Sequence, residues 1–250
     1  MAVLNDKRHD GGDKVVFGKR GAFGPDDVTR LVLERRESHR FVCARLYRFL
    51  VSETAEPSAD LLDPLAERYA AGGCDTGKLV ETILRSHHFF SPAAYRQKVK
   101  SPVEFAVGIV RGLNGTVGGR PLAAAVEPLG QVLFAPPSVK GWDAGPAWLN
   151  AQTLLARQNL ALALTSGEDG RFGRRCDPLA ALGDRTADAD AVDFLLATFL
   201  QGDVPAATRT RLLAAPTPRR RTYQSDTEIA DARRRTLAGL VLTLPEFQLN

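Results

Sequence analysis

Methionine occurs once in this chain, as Met1, and cysteine, histidine and tryptophan are scarce. The three cysteines, Cys43, Cys74 and Cys176, stand far apart with no CxxC pair. That spacing excludes a disulfide framework. No two Cys or His residues sit at metal-ligand spacing except adjacent His87 and His88, so no metal site is read. No apolar run approaches the roughly 20 residues that cross a bilayer, which predicts no membrane span. The first residues, MAVLNDKRHDGGDK, lack the apolar segment of a signal peptide. There is no P-loop, no GxGxxG after a strand, no GxSxG, no HExxH and no EF-hand loop, so no cofactor is expected. Strand patterning is nearly absent: only KVVFG at 14–18 reads as extended. No internal repeat period is found.

What is present is helical periodicity. The chain has 250 residues, 44% of them hydrophobic and 25% charged, enough to bury a core without staples. The pattern predicts an all-α protein, a single irregular bundle of about nine or ten helices with long Pro/Gly-rich loops. Gly24-Pro25-Asp26-Asp27 opens the first helix, with proline where no hydrogen bond is lost and acids facing the positive dipole end. A second helix over 38–51 is expected to bury Phe41, Leu46, Phe49 and Leu50, with Cys43 a buried thiol. Pro57-Ser58 starts a third and Gly72-Gly73 ends it. Asp75 caps a fourth, whose apolar stripe Val80, Ile83, Leu84 and His87 places His87 in or near a core.

SPVE at 101–104 and SDTE at 225–228 are both capping boxes: the serine accepts from the backbone of the glutamate, whose side chain reaches back. Pro128 should break the helix over 122–133. A long helix from Gly145-Pro146 to about 166 is expected to bury Trp148, Leu155 and Leu162. The stretch SGEDGRFGRRCDP reads as a flexible connection. Strongly apolar 187–200, a short helix over 206–214 and a last one to about 244 complete the scheme.

The net charge of +4 is concentrated in the Arg-rich residues 204–236, which hold RTR, PRRRTY and ARRRT. A nucleic-acid surface needs aromatics between its cations, and only Tyr223 is there. A solvated, partly flexible loop followed by an exposed helix face is therefore the preferred reading.

Two clusters could carry chemistry. RHDGGDK brings together His9, Asp10, Asp13 and Lys14. His9 beside Asp10 could form a pH-tuned pair, and a polar turn before KVVFG is the simpler reading. The second cluster lies at 136–148, where Lys140, Trp142, Asp143 and Trp148 fall in or beside a Pro/Gly-rich loop. Both tryptophans of the chain are here. Such rings either fill a groove between helices or wall a ligand pocket, with Asp143 as a polar handle. One carboxylate does not specify glycoside hydrolysis, which needs a second across the bond.

Six segments in order carry a resemblance: HDGGDKVVFG, SHRFVCARLYRFLV, ETILRSHHFF, KVKSPVEFAVGIVRGL, LGQVLFAPPSVKGWDAGPAWLNAQTLLAR and LTLPEFQLN. Together they resemble the bacterial domain-of-unknown-function family 1800. The resemblance implies an all-helical protein and an exported family. It also implies that this chain corresponds to the C-terminal half of a longer member, with the missing N-terminal half as one partner. A further partner it implies is an exported protein of the unknown-function family 1501. It places the protein in the cell envelope or secreted fraction if the full gene carries an export signal.

Three functions are open on these grounds. The first is a non-catalytic scaffold or interaction module. The second is a hydrolase of a cell-surface or secreted polymer, using His9, Asp10 and Asp143 with the tryptophans binding substrate. Nucleic-acid binding through the arginines ranks a distant third.

Overall fold

The computed structural model describes residues 9–218 and 224–250. The chain is all-α apart from one small hairpin, with eleven α-helices among the described residues. It divides into two compact units, residues 1–95 and 96–250, each with its own apolar core. The periodicity alone gives no sign of that division.

In the first unit, KVVFG forms β1 (Lys14–Val16), paired antiparallel with β2 (Lys19–Gly21). Phe17 and Gly18 both have positive φ, the two-residue turn that suits hairpin twist. Four helices follow: α1 (Pro25–Leu33), α2 (Arg36–Leu50), α3 (Ala59–Ala71) and α4 (Thr76–Leu84). Pro25 opens α1 with Asp26 and Asp27 in its first turn, as the sequence predicts, and Asp27 also accepts the Gly24 N–H. Asp75 caps α4 by accepting from Lys78 N.

The buried stripe of α2 is Cys43 and Tyr47, continued by Val51 at the same four-residue spacing. Of the predicted face, Leu46 and Leu50 pack against the core, while Phe41 and Phe49 are 66% and 68% exposed, which corrects that part of it. The helix carries apolar residues on two sides, and α3 and α4 close over the side holding Cys43 and Tyr47.

The second unit holds α5 (Pro102–Gly112), α6 (Gly119–Val126), α7 (Ala151–Ser166), α8 (Pro178–Leu182), α9 (Asp188–Leu200), α10 (Ala206–Leu213) and α11 (Asp226–Leu242). Helix α11 packs on α7 and α9 at the centre. Phe105, Phe199 and Phe247 join α5, α9 and the C-terminal turn, with ring centroids 5.4 and 5.5 Å apart. Gly112 allows α5 to meet α9, because a Cβ there would stand 2.3 Å from the Phe199 ring. Both predicted capping boxes form: Ser101 with Glu104, and Ser225 with Glu228. Pro128 ends α6, and a 3-10 turn over Glu127–Leu129 follows.

Two local expectations fail here. The long helix predicted from Gly145 is two elements. A 3-10 turn, Gly145–Trp148, is followed by α7, whose own capping box joins Asn150 and Thr153. Asn150 accepts from Thr153 N and donates its N–H to the Thr153 hydroxyl, so the helix restarts there. The buried face of α7 also differs. Leu155 and Leu162 are exposed, while Leu160, Leu164 and Arg157 are interior. Second, the connection expected to be flexible is tied into the core. Phe172 and Cys176 are buried, and Asp177 pairs with Arg235.

The Arg-rich segment is used structurally where it is described. Arg233 holds Asp188 and the carbonyls of Leu213, Ala215 and Pro216. Arg234 bonds Asp231, and Arg235 reaches Asp177 at 2.7 Å. Arg209 clamps Asp193 with two bonds. The expectation of a solvated helix face is corrected for 233–235: Arg233 and Arg234 are buried and Arg235 is bound to the buried Asp177, because α11 is packed on several sides. The arginines and Tyr223 of PRRRTY, at 219–223, lie outside the described residues.

Candidate functional site

The loop between α6 and α7 has a buried base and an exposed tip. Trp148 forms the base. It is 9% exposed, and its carbonyl accepts a bond from the Thr153 hydroxyl at 2.9 Å. Gly130, with φ of +102, turns the chain beside the Trp148 ring, 3.8 Å from where a Cβ would stand. Trp142 is partly buried, as its ring chemistry predicts. Lys140 and Asp143 are both exposed and form an ion pair at 2.7 Å. The Lys140 hydrogen bond holds the Asp143 carboxyl below its ordinary range. Asp143 is thus an ionised, partnered carboxylate on the surface rather than a raised-pKa acid in a cleft.

The tip of the same loop is apolar. Residues 128–139, PLGQVLFAPPSV, contain no charged side chain. Val132 and Leu133 are over 40% exposed, Phe134 is 98% exposed and Val139 is fully exposed. Phe134 also has φ of +63, a left-handed backbone that an aromatic residue rarely adopts. Such strain persists where the surrounding chain holds it, and here it presents a whole phenyl ring to solvent.

His9 and Asp10 belong to the first unit, in the turn before the hairpin. Asp10 accepts from Gly12 N at 2.9 Å, and Lys14 donates to the Gly12 carbonyl at 3.0 Å. The Gly12 N–H, then the Lys14 charge, hold the Asp10 carboxyl low. Asp13 pairs with Arg20 across the hairpin. The cluster thus has the bonding of a polar turn. The structure brings Lys140, Asp143 and Trp148 into one loop; the His9–Asp10 turn stands in the other unit. Among the described residues, no three His, Cys, Asp or Glu side chains gather where they could hold a metal ion.

Two polar arrangements escaped the sequence reading. The first is Tyr47 with His88. Their Oη and Nε2 atoms lie 3.0 Å apart and the rings stack at 5.7 Å. Burial raises the Tyr47 phenol above its ordinary value. His87, expected on the apolar face, is exposed, because α4 ends at Leu84 and the following turn points His88 inward instead. The second is Arg157 with Lys100. Arg157 is fully buried and donates to the Lys100 carbonyl at 2.7 Å and to Gln248 Oε1 at 3.3 Å. Lys100 Nζ bonds the carbonyls of Phe247 and Leu249 at 2.9 and 2.6 Å. Burial pushes Arg157 down to about 10 and Lys100 down to about 8, with Glu104 opposing both. These cations fasten the C-terminal residues, which also pair through Val99 and Leu249. Arg157 lies three residues from the buried Leu160 on the same helix face, so a polar residue at core spacing was the only signal.

Comparison with known proteins supplies the family. The model of a protein family of unknown function, DUF1800, matches residues 1–249. The chain belongs to that family. No curated protein and no solved structure matches it. The family carries no assigned activity. Among the described residues, no helix is long and apolar enough to cross a membrane.

Proposed function

We propose that the protein is a non-catalytic interaction module that grips a partner protein through the apolar tip at 132–139. The observation that carries this is a fully exposed phenyl ring on strained backbone, in the charge-free segment 128–139 of a loop whose other end holds buried Trp148. A few buried anchors, aromatic ones among them, carry most of the binding energy at protein interfaces. Exposed apolar tips of this kind need a reason in a folded protein. The partner we propose is the exported family-1501 protein that the resemblance implies, with the cell envelope or secreted fraction as the proposed location of the complex. The paired state of Asp143 supports binding over hydrolysis, since its carboxylate is already neutralised by Lys140. The inward use of Arg233, Arg234 and Arg235 likewise supports a protein partner over a nucleic acid.

The test is biolayer interferometry of the full chain against the purified family-1501 protein. Phe134→Asp should weaken binding about thirtyfold or more, the size of an interface hot spot. Because Phe134 touches solvent, the thermal midpoint should stay within a degree or two. Native binding that survives the substitution unchanged, or no binding by the native chain, would overturn the proposal.

A further inference from the structure

The first unit contains an unassigned cavity of about 240 Å³ between α2, α3 and α4. Its wall is apolar, built from Val51, Leu61, Pro64, Leu65 and Ile83. Part of its origin is visible in the chain. Pro64 sits inside α3 and offers no N–H to the carbonyl one turn earlier, so the helix is loosened where it lines the space. The space is roomy enough for a short hydrocarbon chain.

Polar groups at the cavity are few, and most are spent. The Ser86 hydroxyl donates to the Ile83 carbonyl at 2.7 Å and accepts from Phe89 N. The Thr82 hydroxyl donates to the Lys78 carbonyl at 2.8 Å. Two capacities remain. One is the Tyr47–His88 pair, where a His88 N–H donated to the phenol oxygen leaves the phenol O–H free to donate. The other is Arg68, the one fully charged residue on the wall. Among the described residues its guanidinium has no ion pair and no hydrogen bond. A larger groove of about 700 Å³ shares Leu65, Arg68 and Thr82 with the cavity. There the other charges are matched: Asp75 with Lys78 at 3.8 Å, and Glu81 with Arg85 at 2.9 Å. Arg68 is the surplus cation at the join between an apolar cavity and a polar groove.

We infer that this cavity binds a hydrocarbon-tailed carboxylate, with the tail against Leu61, Leu65 and Ile83 and the carboxylate between Arg68 and the Tyr47 hydroxyl. Arginine matches a carboxylate with two parallel N–H donors. A pocket that is mostly apolar with two convergent polar groups is the usual form of a small-ligand site. Tyr47 is suited to donate, since its burial keeps the phenol protonated. The site is separate from the loop at 132–139 and does not depend on the role proposed for it.

Isothermal titration calorimetry of the full chain with sodium octanoate tests this. Octanoate should saturate one site, and octan-1-ol, with the same tail and no charge, should bind about tenfold or more weaker. Arg68→Gln removes an exposed, unpartnered side chain and leaves the fold intact. It should lower octanoate affinity by a similar factor and erase the preference for octanoate over octanol. Tyr47→Phe should weaken octanoate several-fold. Phe134→Asp should bind octanoate as the native chain does, whatever the fate of the partner interaction. The inference is overturned if octanoate shows no saturable heat, if octyltrimethylammonium binds as well as octanoate, or if Arg68→Gln keeps the preference intact.

Discussion

Replacing Trp148 with alanine should loosen the second unit and release the loop it anchors. The side chain is 9% exposed, faces the turn at Gly130 and lies one short step before the cap of α7. Truncating a large buried aromatic costs about 3–5 kcal/mol, the transfer of the lost ring plus the cavity it leaves. The lower end applies here, about 3 kcal/mol, because one wall of the site is loop that can partly collapse. Only two tryptophans exist, so in Trp148→Ala the emission comes from Trp142 alone, in the same loop. Urea titration followed by that emission therefore reports the loop and its unit directly. At about 2 kcal/mol per molar urea, a loss of 3 kcal/mol moves the midpoint down by about 1.5 M. Trp148→Phe, which keeps most of the ring, should lose roughly a third as much. A loss under about 1 kcal/mol for the alanine variant would refute the anchor, and the ring would then be a ligand-facing surface.

Three further outcomes follow from the same structure. Ser101→Ala and Ser225→Ala each remove a capping acceptor and should cost about 0.5–2 kcal/mol in urea titration; no change in either would mean the cap is not formed in solution. Asp177→Ala leaves Arg235 without its carboxylate and removes the acceptor for Leu179 N, so it should cost about 3 kcal/mol by calorimetric unfolding; a neutral result would mean the connection at 167–177 is not fastened. Lys100 sits at about 8 when folded against 10.5 for an ordinary lysine, so the unfolded chain holds more protons between those values. Its contribution to stability is therefore full above about pH 10.5 and disappears as pH falls through about 8. Native protein should gain on Lys100→Met by about 1–2 kcal/mol between pH 8 and 10, after allowance for solvent screening of the partly exposed ammonium. A stability difference between the two that is flat across that range would refute it.

Several helix boundaries were set by local chemistry that the sequence carried, although the start of α7 at Asn150 was missed. Ser101 with Glu104, Ser225 with Glu228, Asp75, Pro25 and Pro128 each act within four residues, through bonds or ring constraints that need no tertiary partner. The fold class followed from the same periodicity, and the family from ordered segments. Trp148 as a core residue was legible too, because a large ring in a loop must find a surface.

Only the tertiary structure decided which side of a two-faced helix goes inside. In α2 both Phe41 and Cys43 lie on apolar stripes, and the buried one is set by where α3 and α4 pack. In α7 the leucines at 155 and 162 looked inward, yet Arg157 took the interior because the Lys100 carbonyl and the Gln248 side-chain oxygen meet its guanidinium there. Tyr47 meets His88 across 41 residues, and Arg235 meets Asp177 across 58. Pairings at that separation leave no periodic trace, since neither residue has a local reason to be where it is. Periodicity fixes the phase of a helix, and the partner that arrives from elsewhere in the chain fixes its facing and the residues left free to bind.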